Sequence, residues 1–225
     1  MNEIDIHAHH FNPGTYIQIL NIFAQDLPFS ESEKLFSAGI HPWHLERGNQ
    51  EVFLNSIELA SLQKNMLAVG ECGLDRSIRT DFAVQEFYFR KQIEIAEKHH
   101  KPLIIHCVRA FPELIKLKKE TKSTVSWIIH GFQGNKQSTM QLIRNDFYFS
   151  VGKSLLTNDL KREILPLVPF NRLFLETDDN EIPISRMYSL ASQLLMISKV
   201  TLSGIILENF KRLFGNENVV NNNLT

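Results

Sequence analysis

Short apolar or β-branched runs alternate along this chain with longer segments in which apolar residues recur at helical spacing. This alternation is typical of βα units around a parallel sheet. The runs that we predict as strands cover residues 4–7, 16–23, 35–41, 67–71, 103–106, 125–130, 147–151 and 173–177. Eight is the number of strands that closes a TIM (β/α)8 barrel. The 225 residues of the chain fall within the size range of that fold, roughly 200 to 400 residues. The predicted fold class is therefore α/β, as a TIM barrel.

The segments between these strands predict amphipathic helices at residues 51–64, 82–99, 111–121 and 136–145. Two further helices near the end of the chain have the clearest apolar stripes, because their apolar residues recur at helical spacing. The stripes consist of Met187, Leu190, Ala191, Leu194 and Leu195 in one helix, and of Leu202, Ile205, Ile206, Phe210 and Leu213 in the other. Gly215 is placed to end the second helix.

Residues 8–15, between the first two strands, predict no helix. A parallel crossover normally needs a dozen or more residues, so either the first crossover helix of the barrel is missing or the second strand is misassigned. We expect residues 1–215 to form a single barrel domain and residues 216–225 to form a polar, frayed tail.

The charge balance narrows the range of partners. With 24 Lys+Arg and 25 Asp+Glu, the net charge of -1 provides no long-range field that would gather nucleic acid or anionic membrane. Recognition of phosphate must then be local. The lysines within residues 116–122 form the one basic cluster, and we interpret them as the solvated face of a helix.

Targeting features also point away from membranes. No run approaches the ~20 apolar residues of a transmembrane helix, and the first residues lack the pattern of a signal peptide. Two cysteines are too few for a disulfide framework and fit a reducing compartment. We therefore expect a cytoplasmic protein without a membrane partner, and its oligomeric state stays open.

Six potential metal ligands lie at or just beyond the carboxyl ends of predicted strands. They are His7, His9, Glu71, His106, His130 and Asp178. A single histidine at a strand end is more often structural, and an aspartate after a strand often belongs to a turn. In a TIM barrel, however, all these strand ends open on the face that carries the active site. The sequence therefore predicts a metal site there.

His7 and His9 are two residues apart on an extended chain, so both imidazoles point to the same side and can bind one ion. His10 points away from that side. Asp5 lies on the side of His7, one step deeper, and we expect it to accept a hydrogen bond that orients a ligand imidazole.

The two cysteines each follow a proposed ligand directly, since Cys72 comes after Glu71 and Cys107 after His106. Strand alternation turns both thiols outward, under the helix layer. A zinc site built on cysteine is therefore the less favoured interpretation, and the chain has no C-x-x-C pair that would support it.

Four imidazoles and two carboxylates exceed the needs of one tetrahedral ion, which indicates two divalent ions bridged by a carboxylate and by water. Pairs of this kind activate water for hydrolysis. Asp178 is the natural base for that water. The mixed ligand set suits zinc, magnesium or manganese, so the metal stays open.

Six sequence motifs in order resemble the signatures of the TatD family of metal-dependent hydrolases. They are DIHAH (5–9), GIHPW (39–43), GECGLD (70–75), IHCVRA (105–110), HGFQG (130–134) and ETD (176–178). The resemblance extends from residue 4 to about residue 215 and implies a TIM-barrel hydrolase of the amidohydrolase superfamily. The best-known members of the family are deoxyribonucleases that cleave phosphodiester bonds.

The resemblance implies the same six ligands, with Glu71 bridging the two ions and taking part in catalysis together with Asp178. It adds His41 as a contact to the substrate phosphate and Arg109 as a lesser candidate. His41 could equally be a structural imidazole next to Pro42. The chain departs from the family pattern at Arg76 and at residues 179–180, which border the expected pocket.

Three functions follow from the sequence. The leading hypothesis is a phosphodiesterase or deoxyribonuclease that acts on nucleic-acid ends or small phosphodiesters. The first alternative is a hydrolase of C–N or C–O bonds, because the same scaffold supports both kinds of chemistry. The second alternative is a catalytically inactive, metal-binding barrel, although an inactive relative would usually have lost some of the ligands.

Overall fold

The computed structural model describes residues 3–12, 17–31, 34–157 and 159–215. Its strands are β1 (Ile4–Ala8), β2 (Ile17–Phe23), β3 (Leu35–Gly39), β4 (Met66–Asp75), β5 (Leu103–Val108), β6 (Trp127–Ile129), β7 (Phe147–Val151) and β8 (Leu173–Leu175). Its α-helices are α1 (Gln50–Ala60), α2 (Phe82–Lys98), α3 (Phe111–Thr121), α4 (Lys136–Arg144), α5 (Ser154–Thr157), α6 (Asp159–Ile164), α7 (Ile184–Leu194) and α8 (Lys199–Phe214). Single-turn 3-10 helices include Ala24–Asp26 and Pro42–His44.

Within the described residues, the strands form one eight-stranded sheet in chain order from β1 to β8. The pairs β1–β2, β3–β4, β4–β5, β5–β6 and β7–β8 are parallel. A parallel bridge between Ala8 and Asp178 joins the end of β1 to the segment after β8. The predicted α/β class, with eight sequential parallel strands, is therefore confirmed.

The second predicted strand is confirmed as β2, because Ile17 pairs with Ile4 in parallel register. Residues 9–12 carry no helix, and residues 13–16 lie outside the described part of the chain. The predicted helices at 51–64, 82–99, 111–121 and 136–145 correspond to α1 to α4. The short helices α5 and α6 were not predicted.

The chain divides into two compact units, one of residues 1–20 with 130–225 and the other of residues 21–129. The extent of a single domain over residues 1–215 stays a prediction. The tail at residues 216–225 lies outside the described residues.

The first unit contains β1, β7, β8 and the two long helices α7 and α8. Tyr188, fully buried on α7, donates its O–H to the carbonyl of Ile4 (3.1 Å) and accepts the N–H of the same residue (2.8 Å). Leu202, Ile206 and Phe210 of α8 are buried, as the predicted stripe requires. Gly215 ends α8 with a φ of 62°, a left-handed conformation that glycine adopts without strain.

The second unit contains β3 to β6 with helices α1 to α3. Two glutamines seven residues apart on α2, and hence on one face of the helix, bind the backbone of the sheet. Gln92 exchanges hydrogen bonds with both backbone groups of Ile40 (2.7 and 3.2 Å), and Gln85 does the same with Asp75 (2.8 and 3.0 Å). Buried amides paired in this way fix the chain on either side of the candidate site.

None of the described helices is by itself long and apolar enough to cross a bilayer. Helices α7 and α8 reach the required length and hydropathy only as a pair, and that pair is bent by 108°. Most of the apolar face of these helices is buried in the first unit.

Candidate metal centre

Five side chains of the first unit meet after the ends of β1, β6 and β8, and we call them the Asp178 cluster. They are His7, His9, His130, Glu176 and Asp178. The Nε2 atoms of His7 and His9 lie 3.6 and 3.3 Å from Oδ1 of Asp178. Both imidazoles therefore approach the same carboxylate oxygen, while His10 is exposed. The ring of His130 lies 4.3 Å from that of His7, measured between centroids.

The backbone holds Asp178 in this position. Its N–H donates to the carbonyl of His7 (2.9 Å), and its own carbonyl accepts the N–H of His9 (2.9 Å). Asp178 has a φ of 57°, in the left-handed region that non-glycine residues seldom occupy. This turn of the chain directs the side chain back toward the two histidines at the end of β1.

The ionisation of Asp178 follows from its surroundings. Burial raises the pKa of its carboxyl group, but the interactions with His7 and His9 lower it by more, so that the pKa lies well below the usual range. The side chain is 28% exposed. Asp178 is therefore a carboxylate at neutral pH, and water can reach it.

Glu176 begins the ETD motif and was not predicted as a site residue. Its side chain is fully buried; Oε1 accepts the N–H of Gly131 (2.6 Å) and lies 3.6 Å from Nδ1 of His130. The other oxygen, Oε2, is buried without a hydrogen bond among the described residues. A buried carboxylate oxygen of this kind requires a cation or a donor. The signal in the sequence is an acidic residue that directly continues an apolar strand.

The predicted role of Asp5 is wrong. Its carboxylate accepts hydrogen bonds from the N–H and Oγ1 of Thr177 (3.0 and 2.6 Å) and from Gln18 (3.2 Å), and among the described residues it forms no hydrogen bond with an imidazole. Burial raises its pKa to about 6, against the opposing effect of these donors. Asp5 thus holds the residue before Asp178 and does not orient a ligand.

Four side chains of the second unit form another group, the Glu71 cluster, which consists of His41, Glu71, Asp75 and His106. β4 is ten residues long and fully buried, and it supplies both carboxylates. Oε1 of Glu71 lies 3.0 Å from Nε2 of His41 and 3.1 Å from Nδ1 of His106. The N–H of Glu71 donates to the side chain of Asn21 (2.8 Å). A Cβ at position 39 would lie 2.7 Å from the carbonyl oxygen of Glu71, so Gly39 allows β3 and β4 to approach closely here.

Asp75 was not predicted as a site residue, and it uses both carboxylate oxygens. Oδ2 faces Nε2 of His106 (3.1 Å) and accepts the indole N–H of Trp43 (2.8 Å). Oδ1 accepts the N–H and the hydroxyl of Ser77 (2.7 and 2.5 Å). Burial raises the pKa of Asp75, but these bonds together lower it well below the usual range. Asp75, the last residue of the GECGLD motif, therefore supplies a carboxylate that orients His106.

The other predicted residues lie around the Glu71 cluster. Arg109 lies directly after β5, is exposed and has a φ of 55°. Its contact with substrate stays a prediction. Cys72 is fully buried and Cys107 is half-buried; neither forms a disulfide, and burial raises the pKa of both thiols. Their exclusion from metal binding stays a prediction. Arg76 pairs with Glu113 (2.5 Å) and lies 4.0 Å above the ring of Phe82.

Both clusters have the donor chemistry that a divalent cation needs. Ligand atoms lie within 4.8 Å of one another in the sets His7, His9 and Asp178; His130, Glu176 and Asp178; and His41, Glu71 and His106. Imidazole nitrogens combined with carboxylate oxygens suit zinc and manganese, and the carboxylates alone suit magnesium. The residues present therefore fit a metal-dependent enzyme.

A family model and known proteins resemble this chain in sequence. A family model described as TatD related DNase matches residues 9–215. An uncharacterized metal-dependent hydrolase from Buchnera aphidicola is 32% identical over 152 residues, which are 64% of this chain and 58% of that protein. The 3'-5' ssDNA/RNA exonuclease TatD of Pantoea ananatis is 31% identical over 164 residues, 69% of this chain and 62% of that protein. The matches thus span 58 to 62% of the length of these two relatives.

Solved structures share the fold. A TatD homologue from Escherichia coli superposes with a TM-score of 0.82 at 22% identity, covering 95% of this chain and 98% of that one. A TatD family hydrolase from Entamoeba histolytica gives a TM-score of 0.78 at 17% identity, with the same coverage. The TIM-barrel fold predicted from the sequence is thereby confirmed.

Proposed function

The chain belongs to the TatD-related DNase family, and on that premise we propose that it is a divalent-metal-dependent phosphodiesterase acting on nucleic-acid ends or small phosphodiesters. The observation that carries the proposal is the pair of clusters in which imidazole and carboxylate atoms lie within 4.8 Å of one another. Each predicted ligand belongs to one of these sets.

The Asp178 cluster and the Glu71 cluster would each hold an ion. Divalent ions bound there would lower the pKa of a water molecule and offset negative charge on a phosphate. The presence of two ions, their identity as zinc, magnesium or manganese, and the bridging role of Glu71 are parts of the proposal.

Asp178 is the proposed proton acceptor. It is ionised at neutral pH, partly exposed to water, and held by its backbone at a fixed distance from His7 and His9. A carboxylate in this state can accept a proton from an attacking water molecule, provided that the water has become more acidic than usual. Glu71 contributes a second carboxylate that the backbone bond to Asn21 keeps in place.

His41 is the proposed donor to the phosphate. Its Nδ1 accepts the N–H of Trp43 (3.1 Å), which places the proton of the neutral imidazole on Nε2. Nε2 faces Glu71 at 3.0 Å and is a hydrogen-bond donor in this tautomer. An imidazole N–H suits a phosphate oxygen, so this geometry supports the role implied by the family resemblance.

The charge distribution favours small or single-stranded substrates. The net charge is -1, and the lysines of α3 are partly neutralised, since Lys116 lies 3.6 Å from Glu120. Long duplexes are held through many lysine and arginine contacts to phosphates. The name of the Pantoea ananatis relative also refers to single-stranded DNA and RNA. We include a cytoplasmic location in the proposal, which rests on the composition and the two free thiols.

The test compares cleavage rates on a dinucleotide, a short single strand and a long duplex at two salt concentrations. We expect cleavage of the dinucleotide and of single-stranded ends, with little activity on the duplex and a weak dependence on salt. Fast, salt-sensitive degradation of the duplex would contradict the proposed substrate. Amide hydrolysis without phosphodiester cleavage would contradict the proposed reaction.

A further inference from the structure

Trp43 is exposed within a turn that is otherwise buried. Trp43 is 57% accessible, whereas His41, Pro42 and His44 around it are buried. Single exposed apolar residues are common on protein surfaces and need no explanation by themselves. Trp43 differs from them in the way that its ring is held.

The ring of Trp43 is fixed on three sides. Its N–H donates to Oδ2 of Asp75 (2.8 Å), and its ring is nearly perpendicular to the imidazoles of His41 and His106, with centroid distances of 5.0 and 5.8 Å. The single polar atom of the indole is therefore satisfied, and the accessible remainder is apolar. A ring that is already ordered loses little conformational entropy when a ligand covers it.

The position of the ring relates it to the proposed reaction. Oδ2 of Asp75 contacts both the indole of Trp43 and the imidazole of His106, and His106 approaches Glu71 through its other nitrogen. A phosphate bound at the Glu71 cluster would thus lie within about one nucleotide of the exposed ring. Aromatic side chains stack with nucleobases in a manner that tolerates every base, because each base has a π-face.

We propose that Trp43 is a stacking platform for a nucleobase of the substrate, next to the phosphate that is cleaved. This inference rests on the proposed function and narrows it, since the preferred phosphodiesters would be those that carry a base. Sugar or glycerol phosphodiesters would bind to the same cluster without this contribution.

The fluorescence of Trp43 can report on binding, because the chain contains only one other tryptophan, Trp127, and that residue is buried. Trp127 donates its N–H to Ser123 (2.7 Å) and packs edge-on against Phe89. In the Trp127→Phe variant, Trp43 is the sole indole fluorophore. The probes are a thymidine dinucleotide with a phosphorothioate linkage and the same molecule with abasic sugars. We expect the first probe to quench the fluorescence of Trp43 and the abasic probe to leave it unchanged.

The decisive quantity is the ratio of the two affinities, because damage to the metal site affects both probes alike. In the chain with Trp127 intact, we expect the base-bearing probe to bind about 5- to 150-fold more tightly than the abasic one. The Trp43→Ala variant should bring the ratio to about one. Phe87→Ala removes another exposed aromatic ring, 50% accessible on α2, and is the matched control that should retain the ratio.

The outcomes separate the two proposals. Equal affinities for both probes, or a ratio that Trp43→Ala leaves intact, would overturn the stacking platform. Cleavage of an abasic phosphodiester by the unaltered protein tests the proposed function alone. Absence of cleavage together with a ratio that depends on Trp43 would overturn the reaction and retain the platform.

Discussion

The two clusters have similar donors but are held in place by different means. In the Asp178 cluster, backbone hydrogen bonds fix the carboxylate, since the N–H and carbonyl of Asp178 bond to His7 and His9. In the Glu71 cluster, side chains fix the imidazole, since His106 lies between the carboxylates of Glu71 and Asp75.

In the Asp178 cluster, backbone groups hold the carboxylate in place, and the side chain is left for the proposed reaction. In the Glu71 cluster, the same side chains hold His106 in place and form the proposed metal site. A change of the Asp178 side chain leaves its backbone bonds available. A change of Asp75 removes an acceptor that Trp43, Ser77 and His106 share. Variants should therefore affect turnover at the first cluster and metal affinity at the second.

The largest expected effect is that of metal removal on both clusters. The purified protein should hold up to two divalent ions, and a strong chelator should abolish phosphodiester hydrolysis because water is then no longer activated. Metal content and rate are measured on the same samples as the chelator is titrated. An undiminished rate in metal-free protein would disprove the mechanism for both clusters.

The Asp178→Asn variant should lower kcat by about 10²- to 10⁴-fold, because the amide cannot accept a proton. Its melting temperature should stay close to that of the unaltered chain, since the backbone bonds remain. Asp179→Asn is the matched control: Asp179 is exposed and pairs with Lys153 at 3.0 Å. Near-normal turnover of fully metallated Asp178→Asn would remove Asp178 from the role of base.

The Asp75→Asn variant should weaken metal binding by about 10- to 100-fold, as expected when the partner of a ligand imidazole is lost. An amide can present its N–H₂ group to the imidazole in place of an oxygen, which disturbs the orientation of His106. Metal affinity is measured by competition with a chromophoric chelator. Ser77→Ala leaves Asp75 in place and should change the affinity much less; equal losses in the two variants would argue against a specific role of Asp75.

The smallest expected effect is on stability, and it concerns the hydrogen bonds between Asp5 and Thr177, the residue directly before Asp178. Thr177→Val removes a hydroxyl that donates to the buried carboxylate of Asp5 and should lower the free energy of unfolding by about 1.5–3 kcal/mol. In the control Thr139→Val, the lost hydroxyl binds the neutral carbonyl of Asn135, and the expected decrease is about 0.5–1.5 kcal/mol. Denaturant unfolding gives both values. A large loss of metal affinity with unchanged stability in Thr177→Val would contradict this description.

Local patterns were sufficient to predict the strands and the grouping of polar side chains at their ends. The alternation of apolar runs and amphipathic segments placed all eight strands, and the bounds of β7 and α3 agree with the predicted ones. The spacing of His7 and His9 predicted that both would face one side, and both approach Oδ1 of Asp178. These features depend on a few neighbouring residues, so one sequence contains enough information.

The missed features depend on residues far apart in the chain. Asp75 acquires its role from His106 and Trp43, which lie 31 and 32 positions away. Asp5 was expected to accept a hydrogen bond from an imidazole. It accepts instead from the N–H and the hydroxyl of Thr177, 172 residues away. Periodicity alone does not reveal such partners, because they are set by the sheet register and by the turn at Asp178.

The division of the chain into two units has a consequence for its synthesis. Residues 21–129 are continuous and contain all four residues of the Glu71 cluster, so these residues have all been synthesised before residue 130. Ile4 and Tyr188, which bond to each other, are 184 residues apart, and the bridge from the end of β1 to Asp178 must wait until residue 178 has been synthesised. At about 5–20 residues per second, that delay is roughly 10 to 30 seconds. A nascent chain or a truncated product that ends before residue 178 lacks the carboxylate of Asp178, and the proposed mechanism predicts that it does not hydrolyse phosphodiesters.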